Sequence, residues 1–312
     1  MKKKIFLRLL FILCISLCLV LASCGENDDD EGKKGSGGKS DKTEDTGNFN
    51  FQLSEDGSFY TVIGLKDTFK EEIKIPNEYK GKPVLEIGSG AFGNCSKIKR
   101  VIIGEGITHI RDHAFVDCTS LESISIPNGV VLIGNNAFQN CTSLPEIILP
   151  NSIQEIEMHA FYNCDSITSI TLPQGLKAIT HSMLRECDGL KEITIPSGVR
   201  VIGETAFQHC RSLERVVFSS ELEVIESSAF DGCVSLKGLS LPNGLLRIEG
   251  HAFENCDSIE TVSIPTSVER VGAWAFWECD SLKKIYLNDM AQTQDWDLEW
   301  NYGNVDIYLP EY

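Results

Sequence analysis

Apolar positions recur along most of the chain with a period of 23 residues. In one unit, Leu121, Ile124 and Ile126 alternate with Ser123 and Ser125, which is the pattern of a short strand with one buried face. Proline follows this strand in six units, at Pro127, Pro150, Pro173, Pro196, Pro242 and Pro265. Because proline has no N–H to give to a ladder, it predicts the end of the strand.

The second half of the unit contains a further pair of apolar residues and a turn that recurs from unit to unit. Val130 and Ile133 form the step, and Asn136 to Cys141 is predicted to form a short helical turn that directs Ala137 and Phe138 inward. The cysteine returns every 23 residues, at Cys95, Cys118, Cys141, Cys164, Cys187, Cys210, Cys233, Cys256 and Cys279. Phenylalanine stands three residues before each of them except at Leu184. One unit cannot bury these side chains, but stacked units can.

Written as one line, the unit is I-x-I-P-x-x-V-x-x-I-x-x-x-A-F-x-x-C-x-S-L-x-x. Its A-F-x-x-C-x-S-L and I-x-I-P parts resemble the BspA-like leucine-rich-repeat surface proteins of host-associated microbes, over about residues 49–312. The resemblance implies a leucine-rich-repeat solenoid: a right-handed β/α-type stack of coils, with a parallel sheet on one face, short helical turns on the other, and terminal caps. With coils about 4.8 Å apart, nine or ten of them give a stack of roughly 45 Å.

The resemblance extends to the ends of the repeat region. It implies an N-terminal capping hairpin over residues 49–71 with Asp56-Gly57 as its turn, repeats over 72–287, and a C-terminal cap over 288–312 that holds Trp296 and Trp300. Terminal units must differ from the rest, because each has one face without a neighbour. Two internal departures, Met183-Leu184 for Ala-Phe and Ser219 for proline, place no polar residue in a predicted core position, so we expect local repacking there.

Residues 1–24 have the layout of an export signal. The basic MKKK precedes an apolar stretch to Val20, and Leu21-Ala22-Ser23-Cys24 resembles a bacterial lipobox, which implies cleavage and lipid attachment at Cys24. A transmembrane anchor is the alternative, but the apolar run after Arg8 is shorter than a span needs. Residues 25–48 hold no large apolar side chain and are predicted to be a disordered tether. We therefore expect an exported protein, lipid-anchored to the bacterial membrane, with the cell surface as its site.

The net charge of the chain limits the classes of molecule that it is expected to bind. The formal net charge is -17. Such an acidic surface disfavours nucleic acid, which requires a basic footprint, and it repels anionic lipids, so membrane contact is expected through the lipid only.

The sequence contains no recognisable catalytic motif. The repeat cysteines are odd in number and lie in an apolar frame, which favours a ladder of buried thiols over disulfides, although disulfides between adjacent coils remain an alternative. His113, His159 and His251 share one exposed position of the predicted helical turn, two and four coils apart, and are too distant for a common metal ion. We expect no enzyme activity, no cofactor and no metal.

The remaining candidate is a surface. One outward strand position recurs in every coil and forms a candidate binding face of small or apolar residues: Ser125, Ile148, Thr171, Thr194, Val217, Ser240, Ser263 and Tyr286. Solenoids use such faces for binding, although a plain solvated sheet would have the same pattern. The resemblance implies a monomeric adhesin for protein partners, with host extracellular-matrix proteins among them. The alternative function is a structural or assembly role in the bacterial cell envelope.

Overall fold

The computed structural model describes residues 46–301, 303 and 305–309. The expected signal segment, Cys24 and tether residues up to 45 lie outside the described residues. The rest of the chain forms a parallel β-solenoid of about 11 turns, as the repeat predicts.

The first strand of each coil belongs to a ladder that we call sheet 1. Neighbouring strands are parallel and, within the repeats, pair residues 23 apart, so that Glu146 faces Ser169 and Ile148 faces Thr171. At the two ends of the sheet the offsets are 28 and 22 residues. Its strands are β3 (Glu72–Lys74), β6 (Arg100–Ile102), β8 (Ser123–Ser125), β10 (Glu146–Ile148), β12 (Ser169–Thr171), β14 (Glu192–Thr194), β16 (Arg215–Val217), β19 (Thr261–Ser263), β21 (Lys284–Tyr286) and β22 (Asp306–Tyr308). The middle residue of these strands faces the core, as in the buried Ile147 and Ile170.

The apolar step of each coil forms a second ladder, sheet 2, which the sequence did not predict as a sheet. Its strands are parallel except in two antiparallel pairs at the N-terminal end, β1 with β2 and β4 with β5, and the ladder is interrupted once, between β11 and β13. Its strands are β1 (Phe49–Leu53), β2 (Tyr60–Leu65), β4 (Glu78–Tyr79), β5 (Lys82–Ile87), β7 (His109–Ile110), β9 (Leu132–Ile133), β11 (Glu155–Ile156), β13 (Ala178–Ile179), β15 (Val201–Ile202), β17 (Val224–Ile225), β18 (Arg247–Ile248) and β20 (Arg270–Val271).

Sheet 1 is interrupted at three places: where β8 and β10 adjoin, between β12 and β14, and between β16 and β19. The first of these interruptions has a local cause. In the preceding coils, the residue before the strand donates its N–H to the previous coil, as Glu122 does to the Lys99 carbonyl at 2.8 Å. Pro145 occupies this position before β10. Because proline carries no N–H, this rung of the ladder is absent.

The predicted helical turn is wrong. Between Asp112 and Cys118 the chain forms consecutive turns, in which His113 and Asp117 both have φ of 58°. Left-handed residues turn successive N–H groups to opposite sides: the Phe115 N–H donates to the Ala137 carbonyl of the next coil at 2.8 Å, whereas the Val116 N–H donates back to His113 at 3.1 Å. A helix requires all its N–H groups to point one way, so this segment joins the coils instead.

The core contains two columns of side chains that run along the stack. Phe115, Phe138 and Phe161 stack with ring centroids 5.3 and 5.5 Å apart and nearly parallel planes. The column is interrupted at Leu184 and resumes at Phe207. Beside it lies the cysteine column, in which each thiol donates to a carbonyl of the preceding coil, for example Cys164 Sγ to the Phe138 oxygen at 3.1 Å. The repeat therefore supplies a polar partner for every one of its eight free buried thiols.

The expectations for the departures and for the tether need correction. Ser219 is buried, and its hydroxyl donates to the Ser197 carbonyl at 2.7 Å while it accepts from the Glu221 N–H at 3.0 Å. A polar residue therefore does replace proline in the core, and it is tolerated because both hydrogen-bonding roles are filled. The predicted tether ends too late, since Thr46–Asn48 form a 3₁₀ helix and Asn48 is buried.

Both ends of the described fold are closed by different structures. β1 and β2 form an antiparallel hairpin in which Asp56 accepts hydrogen bonds from Ser54 and Ser58, and these bonds lower the pKa of the Asp56 carboxyl to about 2. At the other end, the 3₁₀ helix Met290–Thr293 precedes the buried Trp296 and Trp300. No helix among the described residues is long and apolar enough to cross a membrane.

Candidate functional site

The predicted binding face lies on sheet 1, and all eight of its residues are exposed. Register places them side by side in adjacent coils, so that Ser263 pairs with Tyr286 and Thr194 with Val217. Ile102 and Tyr308 continue the same row in flanking coils. We call this line of side chains, from Ile102 to Tyr308, the front row.

The front row is unusually apolar for a solvated strand surface. It holds five exposed large apolar side chains, with exposed fractions of 41% for Ile102, 73% for Ile148, 41% for Val217, 41% for Tyr286 and 38% for Tyr308. Small hydroxyl residues separate them, except for Tyr286 and Tyr308, whose ring centroids lie 5.6 Å apart. Single exposed apolar side chains are common on protein surfaces, but their alignment in one row makes this face a candidate contact surface.

Charged side chains lie beside the front row and pair between neighbouring coils. These pairs are Arg100–Glu72 at 2.9 Å, Lys99–Glu71 at 3.0 Å, Arg215–Glu192 at 2.6 Å, Lys237–Glu214 at 2.5 Å and Lys283–Glu260 at 3.7 Å. Each pair is exposed and adds little to stability. Because of these pairs, positive and negative side chains alternate along the face. Nucleic acid binds to clusters of basic side chains, and these pairs do not form such a cluster.

A hollow interrupts the face at Gly238. Residues 238–240 form no strand, and only the bridge between Leu239 and Val262 ties them to the next coil. The hollow measures about 580 Å³, and its lining includes Val217, Phe218 and Gly238. A Cβ added at Gly238 would meet no atom within 4 Å, so the packing does not require glycine there. The lack of a side chain at this position leaves the hollow open.

The cysteine column offers no nucleophile. Burial raises the pKa of Cys118, Cys187 and Cys279 to about 12 and raises the pKa of the other free thiols in the column further above its usual range. A thiol with so high a pKa remains protonated and unreactive at neutral pH. Cys95, in the first coil, is buried as well.

The repeat matches a family described as the BspA type leucine rich repeat region, over the overlapping ranges 65–189, 108–237 and 200–296. Together these ranges span residues 65–296, well over half of the chain. The chain belongs to the BspA-type leucine-rich-repeat family. A search of curated proteins finds no match.

Similar solved structures come from several bacteria. A Treponema pallidum leucine-rich-repeat protein is 23% identical, covering 76% of this chain and 89% of its own, with a TM-score of 0.48. A Bacteroides ovatus leucine-rich-repeat protein is 20% identical, covering 85% and 98%, with a TM-score of 0.46. A leucine-rich cell surface protein from Faecalibacterium prausnitzii is 23% identical, covering 81% and 97%, with a TM-score of 0.41.

Five of the six histidines of this BspA-type chain lie on the turns, and His109 lies in sheet 2. His113, His159 and His251 are half-buried with positive φ, and they do not lie in helical turns as expected. His159 contacts His181 of the next coil, with ring centroids 5.1 Å apart. The sequence analysis missed this contact, because the two residues occupy different repeat positions, 22 apart.

The environment of His159 disfavours its charged form. Burial lowers the pKa of His159, and the neighbouring His181 and Arg185 lower it further. Among the described residues, no three histidine, cysteine or acidic side chains are arranged to hold a metal ion. The histidine pair is therefore a structural contact between coils.

Proposed function

We propose that this protein is a non-enzymatic binding module that recognises protein partners through the front row of sheet 1. The observation that carries the proposal is the exposure of five large apolar side chains in one register-aligned row. Repeat proteins use extended faces of this kind for recognition. The eight free thiols are buried, and the described histidines lie apart from this face, so the front row is the feature best suited to contact another molecule.

The proposal includes display outside the cell. Cleavage before Cys24 and lipid attachment at that residue would hold the solenoid on the membrane, and the residues after Cys24 would space it from the surface. The acidic sequence supports attachment by lipid alone. In this arrangement the partners are proteins of the host extracellular matrix or of other cells, and the protein acts as a monomer.

Binding of the purified full-length chain to a panel of extracellular-matrix and plasma proteins tests the function. Ile148→Arg and Val217→Arg place charges in the front row and should weaken binding at least tenfold. Gly238→Arg should do the same by filling the hollow, since the added side chain meets no protein atom. Met158→Arg is the matched control, because Met158 is also exposed and apolar but lies outside sheet 1.

Equal binding by all four variants and the unmodified chain would eliminate the front row as the binding surface. Export is tested separately, by incorporation of a labelled fatty acid into the chain and into Cys24→Ala. Protease added to intact cells should degrade the displayed protein. Protection from that protease would support the inward-facing envelope role in place of adhesion.

A further inference from the structure

The hollow at Gly238 combines two departures from the repeat, in adjacent coils. Gly238 takes a strand position of sheet 1 at which every other coil carries a side chain, for example Ser123 and Thr261. Its backbone is not left-handed, and an added Cβ would meet no atom within 4 Å, so neither conformation nor packing requires glycine. A strand glycine that neither cause explains is typical of a site where a ligand approaches the backbone closely.

The second departure is Phe218, which lines the hollow from the preceding coil. The equivalent residues of the other repeats are aliphatic and buried, as Ile195 and Leu241 are. Phe218 is only half-buried, and its ring packs edge to face against Phe230 with centroids 5.9 Å apart. Since a smaller aliphatic side chain satisfies the fold at this position, the ring adds apolar surface to the hollow that the core does not need.

The backbone of β16 lacks hydrogen-bond partners on the side of the hollow. In a parallel ladder, consecutive residues direct their N–H and C=O groups to opposite neighbours. The Arg215 N–H donates to the Lys191 carbonyl of the preceding coil at 3.4 Å, so the buried Val216 directs its groups toward the following coil. Residues 238–240 of that coil form no strand, and no described residue pairs with the Val216 N–H or carbonyl there.

Phe218 lacks a bond for the same reason. In other coils the residue at its position donates its N–H to the front-row residue of the next coil, as Ile195 does to the Val217 carbonyl at 2.9 Å. Among the described residues, the Phe218 N–H makes no such bond to Ser240. Buried backbone groups without a partner cost free energy, so a polar atom of a ligand in this hollow would gain by pairing with them.

The charge at the hollow favours a neutral ligand. Its lining contains one charged side chain, Arg215, which pairs with Glu192 at 2.6 Å. The other lining residues are apolar or carry a small hydroxyl: Val216, Val217, Phe218, Gly238, Leu239, Ser240 and Thr261. The volume of about 580 Å³ lies within the range of roughly 300–1,000 Å³ that small-ligand pockets have. The hollow is therefore suited to a group with an apolar body and one polar atom.

We propose that this hollow binds a tyrosine side chain of the partner protein and so anchors the contact with the front row. The phenol ring would contact Phe218 and Val217, and its hydroxyl, which both donates and accepts, would pair with the free backbone groups of Val216. Phenylalanine lacks that hydroxyl, and a charged side chain would lose its hydration without gaining a counter-charge. Tyrosine is also enriched at the energetic centres of protein interfaces. The inference deepens the proposed protein-binding function and rests on it for the source of the tyrosine.

Ligand-observed NMR with the full-length chain tests the site with N-acetyl-tyrosine amide as the probe. We expect saturable binding that is at least about fivefold weaker for N-acetyl-phenylalanine amide and for N-acetyl-leucine amide, because neither can pair with the free backbone groups. In spectra of the isotope-labelled chain, the amide signals of Val216 and Phe218 should shift with the tyrosine probe.

Two variants install residues that other coils carry at the same positions. Phe218→Ile removes the ring, and Gly238→Thr fills the hollow, so each should weaken binding of the tyrosine probe at least about fivefold. Ser123→Thr is the matched control, because it makes a similar change at the same strand position in a coil outside the hollow. This control should bind the probe as the unmodified chain does.

Equal binding of the tyrosine and phenylalanine probes would overturn the proposal, and so would undiminished binding by both variants. The comparison of the three probes on the unmodified chain holds even if a variant misfolds. If whole proteins bind and Ile148→Arg weakens them, but the chain does not prefer the tyrosine probe, only the anchor is wrong. If the chain prefers the tyrosine probe but no whole protein binds, the hollow has the inferred specificity and the proposed function is wrong.

Discussion

Raising the pH should unfold this protein steeply, because eight thiols are buried in their protonated form. Burial raises the pKa of Cys118 to about 12, whereas a thiol in an unfolded chain titrates near pH 8.5. Unfolding above that pH therefore releases protons. A group with a raised pKa in the folded state contributes stability that is fully present below pH ~8.5 and is lost as the pH rises toward 12.

The loss can be estimated from the number of thiols. At pH 9.5, one unit above the unfolded pKa, each thiol lowers the free energy of unfolding by about 1.4 kcal/mol. The eight free thiols together lower it by about 11 kcal/mol, which is comparable to the whole stability of a typical domain. At pH 7.5 the combined loss is below ~0.5 kcal/mol. We therefore expect the folded state to persist at pH 7.5 and to be lost between pH 8.5 and 10.

Urea unfolding followed by circular dichroism at several pH values measures this dependence. Its slope near pH 9.5 should correspond to about seven protons released on unfolding. Cys210→Ala should reduce that number by about one, whatever the variant does to stability at neutral pH. A slope of fewer than about three protons would refute the conclusion that the column consists of buried, protonated thiols.

Three further outcomes follow from the packing. In urea unfolding, Phe138→Ala should lower the free energy of unfolding by about 3–5 kcal/mol. Phe138→Leu, which reproduces Leu184, should lower it by under about 2 kcal/mol. Equal losses for the two variants would show that the ring column does not stabilise the fold. Because burial lowers the pKa of His159, the unfolded state binds its proton more readily below pH 6.5, so stability should fall from pH 7 to 5. This fall should be smaller in His159→Asn, which reproduces Asn136, and an unchanged pH profile would contradict the assignment. Ser219→Ala should cost about 1–2 kcal/mol by leaving the Ser197 carbonyl without its donor, and an unchanged thermal midpoint would show that water replaces the hydroxyl.

The repeat period alone was sufficient to predict the register of sheet 1 and the residues of the core. A constant spacing of 23 brings each residue beside its own equivalent in the next coil, as Glu146 lies beside Ser169. The exposure of the front row followed from strand alternation in the same way. The sequence also indicated the turn conformation, since asparagine, glycine and histidine recur at the left-handed positions. The prediction of a helical turn did not take this signal into account.

Contacts between unlike positions depended on the tertiary structure. His159 meets His181 and Trp274 meets Glu299, because the turns of adjacent coils and the cap approach each other at offsets that the repeat period does not specify. The hollow at Gly238 is likewise a local departure from the periodic pattern. By itself the sequence determined the periodic interior, because each coil packs only on its neighbours and identical spacing repeats identical contacts. The surface features depend on side chains that differ from coil to coil, and only the folded stack decided which of these lie together.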